Sequence, residues 1–366
     1  MTKLMLLAIV IIIMILSSCS VREDRIPEPV FLSGEQIDIG SEETLFEIVY
    51  ANDTALVAHL LSDLRKLKIY NQRHPGDSYE FLHIGRGPFE VNQCAVKSRA
   101  NTLYAMSYTP VGIQGVITIP VCRTDDKSAW RYEDISEAAD VPMGGDFDVL
   151  QGQYIVLGDK YGQPNILSSI TRGVDISVTP LSWWPQDKYN GSIISKQALY
   201  MNASKIFASG SKIVYACSEG RYVSILDFSS GTPAEKLIYG EFPVYKAAPD
   251  GMNAIRSPKS RRGVYAFATD SLIYISPLEY MIEDGRYVPA NYKGYPPYYN
   301  DRIEVYDWDG DCIATYILDR PFYNFYVRDD DKSLYALTVD RETMYSEIYR
   351  YCIGGLDVNM FYVGFL

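Results

Sequence analysis

The apolar residues of this chain fall into short runs separated by turn-forming residues, and no stretch shows convincing apolar spacing over three turns of helix. One phrase recurs along the sequence: a turn residue, one further residue, then four residues of strand character. It runs Asp53-Thr54 before ALVA, Asn101-Thr102 before LYAM, Gly152-Gln153 before YIVL, Ser211-Lys212 before IVYA, Asp270-Ser271 before LIYI and Lys332-Ser333 before LYAL. The strand starts, 55, 103, 154, 213, 272 and 334, recur at a spacing that points to a propeller, solenoid or array. Each copy follows another strand-like run: FEIVY, QCAV, FDVL, SKIFA, VYAFA and FYV, so each pair reads as a β-hairpin. A third strand follows in every copy, for example LKIY, VITI and IEVY. A fourth is visible in most, as EFLHIG, WRYED, SVTPLSWW, KLIYG and CIATYIL.

Four antiparallel strands in each of six units predict an all-β chain folded as a six-bladed β-propeller over residues 31–366. A pair of β-sandwiches is the runner-up, and it would not produce six equal copies. Closing the ring requires a strand from one terminus. EQIDIG, residues 35–40, resembles the fourth-strand phrases and is the closing strand inferred here, while MFYVGF, residues 360–365, competes with it.

Ahead of the repeats, Lys3 precedes thirteen apolar residues, Leu4 to Leu16, too few to span a bilayer comfortably. Residues 1–18 read as a signal peptide. Leu16-Ser17-Ser18-Cys19 resembles the bacterial lipobox, which implies cleavage before Cys19 and a diacylglycerol on its thiol. Residues 19–30 then form the lipidated cysteine and a tether.

Gly85-Arg86-Gly87-Pro88-Phe89-Glu90-Val91 is similar to the G-x-G-P-G-E-[F] phrase between the first two blades of the TolB-like six-bladed propeller lipoproteins of Bacteroidetes. It matches at Gly85, Gly87, Pro88 and Glu90 and departs at Phe89, where the family usually has Gly. With the lipobox, the six repeats and strand-turn phrases such as VYDWDGD, the resemblance extends over nearly the whole chain. It implies an envelope location without an assigned activity. Because Ser20 rather than Asp follows Cys19, the family's sorting rules imply the outer membrane, facing the periplasm or the cell surface.

Composition adjusts this picture in three places. Thirty-one tyrosines favour strands. A net charge of −12 argues against nucleic acid or anionic lipid headgroups as partners and leaves membrane attachment to the lipid on Cys19. Cys94, Cys122, Cys217, Cys312 and Cys352 form no C-x-x-C pair. Export permits a Cys94–Cys122 or Cys312–Cys352 disulfide, but free thiols buried in strands are the favoured reading.

Candidate chemistry is sparse. His59, His74 and His83 are the only histidines, no G-x-S-x-G elbow exists, and no metal or cofactor site is expected. Asp307-Trp308-Asp309-Gly310-Asp311 suggests a calcium loop, yet Gly310 stands fourth and Leu318 occupies position twelve, so a hairpin turn is the better reading. Asp329-Asp330-Asp331 invites the same interpretation.

Three stretches read as ligand surfaces. One is the long insertion from Ser276 to Asp301, with Tyr287, Tyr292, Tyr295, Tyr298 and Tyr299 interleaved with prolines. Another is the basic cluster Arg256, Lys259, Arg261 and Arg262, suited to an anion at the central mouth. The third is the pair Trp183-Trp184. The expectation is a binding or scaffold module for a protein, peptide or glycan. A saccharide hydrolase or lyase with carboxylates at the central mouth is the competing class.

Overall fold

The computed structural model describes residues 27–354 apart from 86, 88, 110–111, 137–142, 161, 174, 189–190, 203, 258–262, 279, 284–285 and 290–298. Six four-stranded antiparallel arrays form a six-bladed propeller, and the repeat units of the sequence are its blades. Blade 1 is Leu45–Ala51, Ala55–Leu60, Asp63–Asn71 and Ser78–Glu80. Blade 2 is Gln93–Arg99, Thr102–Thr109, Gly112–Pro120 and Arg131–Asp134. Blade 3 comprises Met143–Leu150, Gln153–Gly158, Leu167–Arg172 and Ile176–Pro180, and blade 4 Ser204–Ser209, Lys212–Cys217, Arg221–Asp227 and Ala234–Glu241. In blade 5 the strands are Val264–Ala268, Leu272–Pro277, Asn300–Asp307 and Cys312–Phe322. Blade 6 contributes Asn324–Val327, Ser333–Val339 and Ser346–Cys352 from its own repeat.

The second strand of each blade is apolar on both sides because neighbouring blades cover both of its faces. Leu272–Pro277 is buried at every position, and Lys212–Cys217 at all but its first. The core is therefore a ring of interfaces between blades. One cluster joins Met106 and Ile113 of blade 2 to Phe147 and Val156 of blade 3, and another joins Val214 and Ile225 of blade 4 to Ile273 and Ile275 of blade 5. Fourth strands lie outside and weaken as sequence signals; Ala234–Glu241 is exposed over its first four residues. Tight hairpins use left-handed backbone at Ala100-Asn101 and at Gln151-Gly152, as a turn matching the strand twist requires.

Ring closure uses the N-terminal strand. Glu35–Ile37 pairs antiparallel with Ser346–Cys352, with Glu35 opposite Arg350 and Ile37 opposite Ile348, and completes blade 6. The competing segment, 360–365, lies outside the described residues. A feature absent from the sequence reading precedes it: Val30–Leu32 adds a fifth, parallel strand to blade 5. Between the two strands, the Ser33 hydroxyl and the Tyr351 hydroxyl both donate to Asp319, at 3.0 and 2.9 Å.

A second unexpected element is the helix α1, Ile193–Asn202, in the connection from blade 3 to blade 4. Its buried positions include Ser195, Lys196 and Gln197, so the sequence carries no apolar stripe. Leu199, Tyr200 and Met201 join a core cluster, and polar bonds add to them: Lys196 Nζ donates to Asp187 and to the Pro185 carbonyl, each at 2.5 Å, and the Tyr200 hydroxyl donates to Asp187 at 2.9 Å.

The five described cysteines are free thiols. Cys217 is buried, Cys94 and Cys312 are half-buried, and Cys122 and Cys352 are exposed, so burial holds for only part of the set.

Candidate functional site

The first strand of every blade lines the ring's axis, and one edge of each such strand has no ladder partner there. Unpaired backbone groups in a partly enclosed space need other partners. On blade 4 four side chains from two other blades supply them. Asp146 and Asp148 of blade 3 accept the Ile206 and Ala208 N–H groups, both at 2.7 Å. From blade 2, Lys97 donates to the Ile206 carbonyl at 3.1 Å and Arg99 to the Ala208 carbonyl at 2.8 Å. The same residues pair with one another, Lys97 with Asp146 at 3.1 Å and Arg99 with Asp148 at 2.6 Å. Two acids and two bases at a two-residue period thus stand in for a neighbouring strand. On blade 1 the Asn324 side chain does similar work, accepting the Ile48 N–H at 3.1 Å.

These strands enclose a cavity of about 1430 Å³. The rings of Phe207 and Phe267 line it, 5.4 Å apart, and Phe267 packs in turn 5.0 Å from the Tyr326 ring behind it. Lys97 Nζ sits 3.9 Å from the centre of the Phe207 ring. Lys205 of blade 4 reaches Glu47 of blade 1 at 2.8 Å. Tyr108, Gln93 and His59 contribute polar wall, and Phe46, Leu61, Tyr265 and Met344 apolar wall.

Charge inside the cavity is perturbed in opposite directions. Burial raises the Asp146 pKa even though Lys97 and Lys205 pull it down. Burial pushes Glu47 the same way, but Lys205, His59 and Lys97 outweigh it and hold that carboxyl below its ordinary value. Lys205 loses stability as a cation through burial, yet Glu47 and Asp146 raise its pKa overall. Perturbed groups in a cleft mark a functional-site candidate, and ion-pair networks of structural origin share that signature. Here Lys97, Arg99, Asp146 and Asp148 are accounted for by the strand edge, whereas Glu47 and Lys205 are not.

The structure distributes the residues singled out from sequence as follows. Tyr299 is buried, packs 5.3 Å from the Tyr323 ring, and lines the cavity with it. Tyr287 lies in a strand, Arg286–Pro289, that forms a separate hairpin with Tyr280–Glu283. Tyr292, Tyr295, Tyr298, Arg261 and Arg262 lie outside the described residues, as does Cys19. Arg256 ends the short strand Ala254–Arg256. Leu278 and Tyr299, close to either end of the tyrosine insertion, and Gly263, which follows the basic cluster, all line the cavity. Trp183 is buried 4.8 Å from the Tyr215 ring, and Trp184 packs near Lys196 Nζ at 4.9 Å.

His59 lines the cavity, while His74 is exposed in blade 1 and His83 is exposed in the connection from blade 1 to blade 2. Among the described residues no three His, Cys, Asp or Glu side chains converge as metal ligands. The Asp307–Asp311 segment is a hairpin turn in which Asp307 accepts the N–H groups of Asp309 and Asp311, at 3.0 and 2.9 Å. In the Gly85–Glu90 phrase, Glu90 accepts the Gly87 N–H at 2.8 Å and occupies the space a Gly85 side chain would need.

The sequence reading missed Glu47, Lys97, Arg99, Asp146, Asp148 and Lys205. Their signal was present: charged residues set inside first strands, and at a two-residue period in QCAVKSR and GGDFDVL, place charge on one face of a strand whose other positions are mostly apolar or small.

No protein-family model matches the chain, and no curated protein matches it. Among solved structures it is similar to a protein of unknown function from Bacteroides thetaiotaomicron, at 11% identity and TM-score 0.43, over 87% of this chain and 72% of the other. It is likewise similar to a candidate exported protein of Bacteroides fragilis, at 11% identity and TM-score 0.43, over 92% and 98% of the two chains. The WD40 repeats of RRP9 give 10% identity and TM-score 0.41, over 87% and 97%.

Proposed function

We propose that this propeller is an exported lipoprotein, anchored through Cys19 in the outer membrane, that binds a ligand in its central cavity. The cavity carries the binding half of the proposal: about 1430 Å³, aromatic rings, and apolar and polar wall groups together are the composition of a small-molecule or chain-end site. A peptide or a glycan fits that composition. The TolB-like resemblance and the lipobox support the envelope half.

Binding is favoured over hydrolysis by the way the carboxylates are used. Asp146 and Asp148 are held by backbone N–H groups and cations, and Glu47 is held by Lys205, so each described carboxylate of the cavity already has partners. The tyrosine insertion and the basic cluster are proposed as contributors to the rim because their described flanks line the cavity.

Two experiments test the two halves. Cys19→Ala moves the protein from the membrane to the soluble fraction; retention in the membrane fraction removes the anchor. For the cavity, glycan and peptide libraries are screened against the native chain and Gln93→Trp, which narrows the mouth at an exposed wall position. Ligands of the native chain are lost in the variant, whereas retained binding places the site elsewhere. Deleting Tyr287 to Tyr299 weakens the same binding if the insertion belongs to the rim, and unchanged binding takes it out.

A further inference from the structure

The cavity's ion pairs are built with an asymmetry. In each, the cation is more exposed than its acid: 11% against 3% for Lys97 and Asp146, 20% against 2% for Arg99 and Asp148, and 42% against 23% for Lys205 and Glu47. Two pairs at the hairpin turns are reversed. Asp309 is 71% exposed against 24% for Lys212, and Asp53 61% against 25% for Arg328. In these pairs the acid faces outward at the turns and the base faces the cavity along the axis. In a partly desolvated cavity such surface charge acts more strongly than it would in open water.

Four described cations line the cavity, Lys97, Arg99, Lys205 and Arg341, and of the three in the axial ion pairs Lys205 is the least committed. Lys97 is committed to Asp146, the Ile206 carbonyl and the Phe207 ring, and Arg99 to Asp148, Asp270 and the Ala208 carbonyl. Lys205, the most exposed of the three, makes one described hydrogen bond, to Glu47. An ammonium has three donors. The Tyr108 hydroxyl stands in the same cavity with no hydrogen bond described for it.

We propose that the central cavity is a receptor for a small carboxylate-bearing ligand, with Lys205 as the group that binds the carboxylate. The proposal rests on the cavity being the ligand site. A single ammonium flanked by Glu47 and Asp146 suits a monoanion. A phosphate dianion would meet two neighbouring carboxylates at that ammonium, where a monoanion meets less repulsion. Apolar wall from Phe46, Tyr265 and Tyr323 accommodates the body of the ligand. Acidic sugars and the C-terminal end of a peptide share this chemistry, and the test separates them.

Calorimetric titration of the full protein compares D-galacturonate with D-galactose in one arm, and N-acetyl-tyrosine with N-acetyl-tyrosinamide in the other. In at least one arm the acid binds roughly tenfold tighter than its neutral counterpart, and that preference shrinks as salt is raised. An acid preference in the sugar arm identifies an acidic sugar, and one in the tyrosine arm a chain terminus. Lys205→Met abolishes the preference, Lys205→Arg keeps it, and Lys212→Met at the hairpin turns leaves it unchanged. The paired variant Lys205→Met with Glu47→Gln removes both charges together and gives the same loss if the single variant folds poorly.

No acid preference in either arm overturns the proposal, as does a preference that survives Lys205→Met in folded protein. Equal binding of acid and neutral probes that Gln93→Trp blocks would leave the cavity as the binding site while removing its anion selectivity. Loss of cavity binding altogether shows instead as Gln93→Trp-insensitive ligands in the wider screen.

Discussion

The ion pairs of the axial cavity and those of the hairpin turns use the same residue types and do different work. Along the axis, Lys97, Arg99, Asp146 and Asp148 complete the hydrogen bonding of a strand edge, and their acids are sunk into the wall. At the turns, Asp309 with Lys212 and Asp53 with Arg328 sit in water, with the acid outermost. Solvent exposure of the carboxylate separates a pair that the fold depends on from one that it tolerates. A buried charge left without its partner is expensive, whereas an exposed pair gains little over two solvated ions.

Substitution at the axis provides the strongest test of this contrast. Asp148→Ala leaves the Arg99 guanidinium and the Ala208 N–H without their carboxylate, and denaturant unfolding should show a loss of about 3–5 kcal/mol. A loss below about 1 kcal/mol would make the axial pair equivalent to a surface one and break the comparison. Glu47→Gln is milder because Lys205 keeps contact with the open cavity; a loss of roughly 1–3 kcal/mol is expected. The same variant frees Lys205 and should tighten binding of the acid probe, a gain that a purely structural pair would not give.

The pH dependence sharpens the point with a smaller effect. Glu47 titrates below its ordinary value in the fold, so its contribution is complete above the ordinary glutamate range and is lost as pH falls through its lowered value. Lys205 titrates above its ordinary value, so its contribution is complete below the ordinary lysine range and is lost as pH rises through its raised value. Asp146 has the sign opposite to Glu47: burial raises it, and its contribution is lost as pH rises out of the acid range. Stability of the native chain should fall on the acid side more steeply than that of Glu47→Gln, by about 1 kcal/mol across the glutamate titration in urea unfolding. Identical acid limbs would show that Glu47 is not paired in solution. The smallest effect belongs to Asp309→Ala, with an expected change of about 0.5 kcal/mol or less.

The ring was legible because its repeats are made of local signals. Apolar second strands and turn residues recur six times, and both faces of each second strand are buried, so tyrosines and β-branched residues run on without alternation. The closing strand could be proposed from EQIDIG because Ile37 faces the same kind of partner as the other fourth strands. Val30–Leu32 was invisible: three residues next to prolines carry no pattern, and their partner strand is distant in sequence. Helix α1 was hidden because its buried face mixes Lys196 and Gln197, which bond to polar partners, with Leu199, Tyr200 and Met201, which join the core, so no clean apolar stripe shows.

At the candidate site the difficulty was of another kind. Asp307–Asp311, read from the sequence as a hairpin turn, is one, whereas the charges that line the axis went unread. The axial charges lie inside strands and meet across sequence separations of 49 for Arg99 and Asp148 and 158 for Lys205 and Glu47. Their embedding in first strands could be read from the sequence. Their pairing required the ring.

The position of a bound acid ligand is the most direct test of Lys205 as its partner. A crystal structure of the protein grown with the acid of whichever titration arm shows the preference should place the ligand carboxylate within hydrogen-bond distance of Lys205 Nζ, with its body against the walls of the cavity. An acid found only at the hairpin turns, or one whose carboxylate points away from Lys205 toward solvent, would contradict it.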